Sequence, residues 1–348
     1  MGASLAAFVR RVVQGIEMGG VVRAKTWVAV VLVGIFLAFL LIGILHTPEE
    51  ARALRVSLDF FPNPNHVPLY VAIEAGLFSA RDLDVELIVP ANPSDPVKLA
   101  AARTIDVSLT PQINYLIARS EGLPLVSIGA LIDRNLGGLL ALGDKGIAEI
   151  EDLAGMRIGY SLAPLEPILW ETMLRCAGVS IDEVELINVG YATVASLLTG
   201  SIDAIGAFRN FEPIQVALQG AEPIFFPQEA YCIPATYDVV LVAHPKLIEE
   251  RGADLRALLD ALAEAISFTR NNPETAFLHF LQAQPDLDDV LNQRSFEATL
   301  PLYAEGARHD DPEVWRAMQT FLLQNGLIAS ELPLDALYTE VLLPGEGE

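Results

Sequence analysis

Beyond residue 55 the sequence alternates short apolar segments with amphipathic ones, and this alternation limits the fold more than any other feature. The predicted strands of the first half are Arg55–Phe60, Val85–Val89, Asp106–Leu109, Leu125–Ala130 and Gly138–Leu142. Helices predicted between them can serve as the crossover connections that parallel strands require. The pattern therefore predicts an α/β fold with a mainly parallel, buried sheet and helices on both faces.

A second set of strands and helices follows from residue 152, and the pattern after His244 is almost wholly helical. Two independent domains would explain this order, and so would a bilobal hinge protein. In the bilobal interpretation the chain leaves lobe one near Gly138–Leu142 and returns to it near Val239–Ala243, so that these segments are the hinge strands. A cleft between two such lobes is a favoured ligand site.

The N-terminal region contains the segment Trp27–Leu45, which carries no charged residue. A helix of about 20 apolar residues spans the hydrocarbon core of a bilayer. Basic residues dominate the preceding segment, so the positive-inside rule predicts a cytoplasmic N-terminus and an extracytoplasmic remainder. A cleaved signal peptide ending at Ala51–Arg52–Ala53 is the alternative. The predicted organisation is a cytoplasmic segment 1–26, a transmembrane helix 27–45, lobe one at 55–140 plus 243–340, and lobe two at 141–242.

Composition excludes several functional classes. The 348 residues include 45 acidic and 22 basic side chains, a net charge of −23, which disfavours binding to nucleic acid. The sequence contains no GxGxxG after a strand and no Walker A, HExxH or GxSxG motif, so we expect no catalytic centre of a common type and no cofactor. The five histidines are widely spaced, so we expect no metal site. Cys176 and Cys232 could form one disulfide or remain buried thiols, and the second interpretation is favoured.

The segment Phe60–Tyr70 combines two aromatics at the predicted end of a strand with a proline-rich loop that contains Asn63, Asn65 and His66. Ligands of open α/β sheets bind outside the carboxyl ends of strands. Asn and His supply directional hydrogen bonds, and aromatics supply stacking faces, so the loop suits a planar heterocycle with polar edges. The alternative is a turn in which Asn and His satisfy their own backbone.

Four segments carry a family resemblance: LDFFPNPNHVPLYVAIEAGLF (58–78), VPANPSDPVKLAA (89–101), QINYLIARSEGLPLVSI (112–128) and DLAGMRIGY (152–160). Together they resemble the ABC-importer solute-binding proteins for thiamine pyrimidine precursors, whose relatives include riboflavin-binding importer proteins and the fungal pyrimidine synthase. The resemblance implies the bilobal type II periplasmic-binding fold, no enzymatic activity, and two partners, an ABC permease and a separate ATP-binding subunit.

The resemblance also implies a set of ligand-binding residues, carried over position by position. They are Phe60, Asn63, Asn65, His66, Tyr70, Glu166, Tyr191, Tyr237 and Asp238. Two departures from the family pattern stand out. Val67 and Pro68 replace the usual small polar pair after the histidine, and SLAPLEP (161–167) lacks the cysteines that the chemistry of the synthase requires.

The expected ligand follows from the apolar residues around these motifs. If Phe60, Phe61, Pro62, Val67, Pro68 and Trp170 line the mouth of the cleft, a three-ring isoalloxazine buries more apolar surface than a single pyrimidine. The sequence therefore predicts a membrane-anchored receptor for riboflavin uptake. A receptor for a thiamine pyrimidine precursor, formylaminopyrimidine or hydroxymethylpyrimidine, is the alternative. A synthase-type enzyme and a sensor ectodomain are more distant ones.

Overall fold

A computed structural model describes residues 53–92, 95–163, 165–190 and 192–343. The predicted cytoplasmic segment 1–26, the predicted transmembrane helix 27–45 and Tyr191 lie outside these ranges. Within the ranges, no helix combines the length and the apolar character that crossing a bilayer requires.

The first sheet has five strands in the order β2-β1-β3-β10-β4. They are β1 (Leu54–Ser57), β2 (Val85–Ile88), β3 (Val107–Thr110), β4 (Val126–Ile132) and β10 (Val239–Ala243). β1 pairs in parallel with β2 and β3, whereas β10 runs antiparallel to β3 and β4. Every residue of β3 and β10 is buried, as expected for strands covered on both faces.

The second sheet also has five strands, in the order β7-β6-β8-β5-β9. They are β5 (Gly137–Leu142), β6 (Arg157–Tyr160), β7 (Glu185–Asn188), β8 (Ala204–Phe208) and β9 (Pro223–Pro227). β6 pairs in parallel with β7 and β8, and β5 runs antiparallel to β8 and β9.

The two-lobe α/β fold is confirmed, with three corrections to the predicted details. Both sheets are mixed, because β5 and β10 each enter their sheet from the other lobe and therefore run against the parallel strands. Neither strand is a hinge: β5 is an inner strand of the second sheet and β10 an inner strand of the first. The crossings are the short connections 133–136 and 228–238, and residues 137–140, predicted in lobe one, begin the second sheet. Hydrophobicity marks buried strands but does not reveal which sheet they join.

Helices cover both sheets. They are α1 (Val67–Glu74), α2 (Pro96–Ala101), α3 (Gln112–Ser120), α4 (Leu165–Cys176), α5 (Thr193–Leu198), α6 (Glu212–Leu218), α7 (Pro245–Asn271), α8 (Pro273–Ala283), α9 (Val290–Thr299) and α10 (Pro312–Gln324). The predicted helical character after His244 is confirmed. One apolar cluster joins β1, β3 and β10 to α1, α7 and α8, and a second runs through both lobes from α3 to α4 and α10.

Cys176, at the end of α4, forms a disulfide with Cys232, on the connection that leads to β10. The expectation of buried free thiols was therefore wrong. The two residues are separated by 56 positions, and their Cα atoms lie 6.0 Å apart, within the usual range for a disulfide. Local sequence pattern does not show that two cysteines so far apart in the chain lie close together in the fold. The bond fastens the returning connection to lobe two.

Candidate ligand-binding cleft

The loops that follow the parallel strands of both sheets meet at the crossings. The carboxyl ends of β1 and β3 and the amino end of β10 share one edge of the first sheet. The carboxyl ends of β6 and β8 and the amino end of β5 share one edge of the second. Connections 133–136 and 228–238 join these two edges, which therefore face the same crossing. This is where an α/β sheet binds ligands, so the loops here form the candidate site.

The loop after β1 is held by its own polar side chains. Asn63 caps the turn Pro64–His66: its Oδ1 accepts from the backbone N–H of Asn65 at 2.9 Å, and its Nδ2 donates to the Phe61 carbonyl at 2.8 Å. His66 is fully buried. Its Nδ1 accepts from the backbone N–H of Asn63 at 3.3 Å, so Nε2 carries the proton and donates to Asp59 at 2.7 Å. Asn63 and His66 therefore shape the loop, and contact between them and a ligand stays a prediction.

Aromatic side chains stand exposed on both sides of the crossing. β1 ends at Ser57, so Phe60 and Phe61 lie in the loop beyond the strand and not at its end, and they are 39% and 58% exposed. Their rings meet edge to face at 5.2 Å. On lobe two, Phe208 ends β8 and is 41% exposed. Sequence reasoning missed Phe208, although an aromatic at the carboxyl end of a predicted strand is the same signal that drew attention to Phe60.

Two carboxyl groups that interact electrostatically lie at the edge of the second sheet. Glu166 opens α4, and its Oε2 accepts from the backbone N–H groups of Ser161 at 2.6 Å and Leu162 at 3.2 Å. Glu212 opens α6, and its Oε2 accepts from the Phe208 N–H at 2.7 Å. Burial raises the pKa of both carboxyl groups, and the charge of Glu166 raises the pKa of Glu212 further. Glu212 was not identified from the sequence.

Glycine is required at position 206, beneath Trp170 and the carboxyl group of Glu166. A Cβ on Gly206 of β8 would lie 2.6 Å from the Trp170 ring and 3.4 Å from Oε1 of Glu166. The absent side chain lets the buried indole and the carboxylate approach the sheet. The edge of lobe two can therefore offer carboxyl oxygens to the hydrogen-bond donors of a ligand, next to the exposed ring of Phe208.

Tyr237 and Asp238 enter the first sheet from the returning connection. Tyr237 is buried: its ring packs 5.8 Å from that of Trp315, and its hydroxyl accepts from the Asp311 N–H at 3.0 Å. Burial raises its pKa to about 12. Asp238 is also buried, and its Oδ2 accepts from the backbone N–H of Leu136. Burial, with a smaller effect of Asp59, raises the pKa of Asp238 to about 7.

Asn65 is the predicted site residue that directly joins the lobes. It is buried, and its Oδ1 accepts from Nδ2 of Asn210, two positions beyond Phe208, at 2.7 Å. Tyr70 lies elsewhere: it is buried in α1, 5.3 Å from the Phe280 ring, and its hydroxyl accepts from Gln284 at 3.3 Å. Burial raises the pKa of Tyr70 to about 12. The structure thus places Tyr70 in the core of lobe one, away from the crossing.

The expected apolar mouth is only partly present. Phe60 and Phe61 are exposed, but Val67, Pro68 and Trp170 are buried. The three residues pack inside their lobes because α1 begins at Val67 and because the indole of Trp170 covers Gly206. Among the described residues, no group of three His, Cys, Asp or Glu side chains is arranged to hold a metal ion.

Comparison with known proteins identifies relatives along most of the chain. A Haemophilus influenzae protein named for thiamine biosynthesis is 38% identical over 88% of this chain and 98% of its own length. The formylaminopyrimidine-binding protein of Halalkalibacterium halodurans is 31% identical over 79% of this chain and 86% of its own length. A Legionella pneumophila protein named 4-amino-5-hydroxymethyl-2-methylpyrimidine phosphate synthase is 25% identical over 82% of this chain and 91% of its own.

Solved structures share the fold at low sequence identity. The periplasmic aliphatic sulphonate-binding protein of Escherichia coli superposes with a TM-score of 0.66 at 17% identity, covering 85% of this chain and 95% of that one. The alkanesulfonate-binding protein of Xanthomonas axonopodis gives 0.66 at 16% identity, covering 84% and 100%. These likenesses show the two-lobe periplasmic-binding fold. The pattern of the NMT1/THI5-like family matches residues 63–276, and the chain belongs to that family.

Proposed function

We propose that this protein is the solute-binding component of an ABC importer and that its ligand is an aminopyrimidine precursor of thiamine, of the formylaminopyrimidine type. The fold is that of periplasmic binding proteins, and a 31% identical relative is named for binding formylaminopyrimidine. In this role the protein binds and releases its ligand unchanged. The sequence predicted riboflavin as the ligand, with a thiamine pyrimidine precursor as the alternative. The named relatives favour that alternative.

The observation that carries the proposal is the pair of partly buried carboxyl groups, Glu166 and Glu212, beside the exposed ring of Phe208. An aminopyrimidine presents an amino donor next to a ring nitrogen. A carboxyl group can accept from the amino group while one proton is shared between its other oxygen and the ring nitrogen, which gives two parallel hydrogen bonds. Burial raises the pKa of both glutamates, which makes each carboxyl group a better holder of the shared proton than a fully solvated one.

The same site is less suited to a flavin. The pyrimidine edge of isoalloxazine presents two carbonyl oxygens around one N–H, so a carboxyl group pairs with it only when fully protonated, whereas with an aminopyrimidine the ring nitrogen can hold the shared proton. The apolar area that favoured the larger ring is also reduced, because Val67, Pro68 and Trp170 are buried within their lobes. Phe60, Phe61 and Phe208 provide stacking area sufficient for a single ring.

The remaining parts of the proposal concern partners and location. The ligand passes to a membrane permease, and a separate ATP-binding subunit supplies the energy. The segment 27–45 anchors the chain in the cell membrane, with residues 1–26 in the cytoplasm and the ligand-binding lobes outside. The Cys176–Cys232 disulfide supports an extracytoplasmic location, because disulfides persist in oxidising compartments.

Calorimetry on the full-length chain tests the proposed ligand. Formylaminopyrimidine should bind with a Kd of about 1 μM or tighter, roughly −8 kcal/mol, and riboflavin more weakly than about 0.1 mM. Ligand recovered by mass spectrometry after long incubation should be unchanged. Glu166→Gln should weaken pyrimidine binding, while Glu171→Gln, on the solvent side of the same helix, should not. Tight riboflavin binding without pyrimidine binding would reverse the assignment, and conversion of the pyrimidine would indicate an enzyme.

A further inference from the structure

Asn210 joins three elements from both lobes. It lies in lobe two, on the turn between β8 and α6, and is only 3% exposed. Its Nδ2 donates to Oδ1 of Asn65 at 2.7 Å and to Oγ1 of Thr299, at the end of α9, at 2.8 Å. Asn65 and Thr299 both belong to lobe one. A single buried amide therefore bridges the lobes beside the candidate site.

The orientation of this amide is set by Thr299. The Thr299 hydroxyl donates its proton to the Ser295 carbonyl at 2.6 Å, so it can only accept from Asn210. Nδ2 of Asn210 must therefore face lobe one, and both of its hydrogens are used. Asn65 in turn must present its oxygen to Asn210, which leaves its Nδ2 as the group that can donate elsewhere.

A second observation points to a ligand. Oδ1 of Asn210 is buried and has no hydrogen-bond partner within the part of the chain that the structure describes. Buried polar atoms normally have a partner, and an unsatisfied one costs about 1–3 kcal/mol. An acceptor on Asn210 and a donor on Asn65 thus occur together at the junction of the lobes.

We propose that Asn210 is a positioning residue of the ligand site, which fastens lobe two to lobe one and fixes the Asn65 amide with its donor available to the ligand. The amide oxygen of Asn210 then accepts from a donor of the same ligand. A heterocycle with an acceptor near a donor, such as an aminopyrimidine with a formylated side chain, matches this polarity. This inference rests on the proposed function for its choice of ligand.

Two variants distinguish the hydrogen bonds of Asn210 between the lobes from the contact of Asn65 with the ligand. Asn210→Ala removes both bridging hydrogen bonds, and it should raise the Kd for formylaminopyrimidine about tenfold, mainly through faster dissociation. It should also increase the radius of gyration of the ligand-free protein in small-angle scattering. Asn65→Asp keeps the oxygen that accepts from Asn210 but removes the donor, so it should raise the Kd while leaving the radius unchanged. Asn325→Ala, which removes a partly buried amide that follows α10 and contacts Thr172 of α4, is the control and should leave the Kd within twofold.

The outcomes distinguish this inference from the proposed function. If the wild-type chain binds riboflavin but not formylaminopyrimidine, the proposed function fails, and the same variants are then measured with riboflavin. If Asn210→Ala leaves both the Kd and the radius at wild-type values, Asn210 has no positioning role. Should that variant not fold, Thr299→Val removes one of the two bonds, and a Kd within twofold of wild type would overturn the proposal equally.

Discussion

The backbone N–H of Leu136, on the outgoing crossing between the lobes, donates a hydrogen bond to the carboxylate of Asp238, on the returning crossing. Asn135 adds two more bonds in the same place: its Oδ1 accepts from the Thr236 N–H at 3.0 Å, and its Nδ2 donates to the Pro234 carbonyl at 2.9 Å. The two crossings are thus fastened to each other. Asp238, predicted from the family resemblance to contact ligand, has a structural role in the hinge.

The first prediction concerns the pH dependence of stability at Asp238. Its pKa in the folded protein, about 7, lies above the ordinary value of 3.8. Between these values the folded protein keeps a proton that the unfolded chain has released, so the free energy of unfolding should fall as pH rises from about 4 to 7. At about 1.4 kcal/mol per pKa unit the loss can reach about 4 kcal/mol. Asp238→Asn, whose amide oxygen can still accept from Leu136, should remove this contribution in urea unfolding followed across that range.

Asp144→Asn provides the control, because Asp144 is exposed and lies on lobe two away from the crossings. Its pH profile should match that of the wild type. If Asp238→Asn also shows the wild-type profile between pH 4 and 7, the pH dependence arises from other groups.

The second prediction concerns His309, which is fully buried against the rings of Tyr237, Trp315 and Tyr338. Burial lowers its pKa from 6.5 to about 4. The unfolded chain therefore binds a proton that the folded protein excludes, and stability should fall by about 3 kcal/mol as pH drops from 6.5 to 4. His309→Leu, which cannot titrate, should show a shallower loss in thermal unfolding over that range. His279→Leu, at a partly exposed site, should keep the wild-type slope, and equal slopes in all three proteins would contradict the assignment.

The third prediction concerns Phe208, the exposed aromatic on lobe two. Phe208→Ala should weaken binding of formylaminopyrimidine by roughly 1–2 kcal/mol, through lost stacking and lost apolar burial. Calorimetry measures the change, and circular dichroism checks that the fold is kept. Leu218→Ala removes a similarly exposed apolar side chain of the same lobe and should leave affinity unchanged. Wild-type affinity in Phe208→Ala would move the stacking site to Phe60 or another ring.

Much of the fold could be predicted from the sequence because the strands are short apolar runs bounded by turn residues. The pattern around Gly138–Leu142 and Val239–Ala243 identified two buried strands at the points where the chain changes lobe. It could not tell that each is an inner strand of its sheet, because pairing partners lie about 70 to 130 residues away. The Cys176–Cys232 bond was missed for the same reason.

The candidate site was harder to predict, because a sequence motif does not say which way a side chain points. Asn65 and Glu166 lie at the crossing, and their contact with a ligand stays a prediction, whereas Tyr70 lies in the core and Asp238 bonds to the outgoing crossing. Phe208 was missed although it is an aromatic at the end of a strand, and Asn210 and Glu212 were missed because no proline-rich and asparagine-rich loop like that after β1 follows β8. Their importance comes from the adjacency of β8 and β6, a tertiary property.

The fourth prediction tests whether the glutamate pair shares a proton with the ligand. Burial raises the pKa of Glu166 and of Glu212, and a carboxyl group paired with an aminopyrimidine holds one proton between its oxygen and the ring nitrogen. At pH 8, above the ordinary pKa of both partners, that proton must come from solvent, so binding should take up protons and weaken as pH rises. Calorimetry in two buffers of different ionisation enthalpy measures the uptake directly. In Glu166→Gln the amide oxygen can accept from the Ser161 and Leu162 N–H groups while the NH₂ group donates to the ring nitrogen, so uptake should diminish although binding persists. Proton release on binding, or equal uptake in the variant, would exclude Glu166 as a partner in the shared proton.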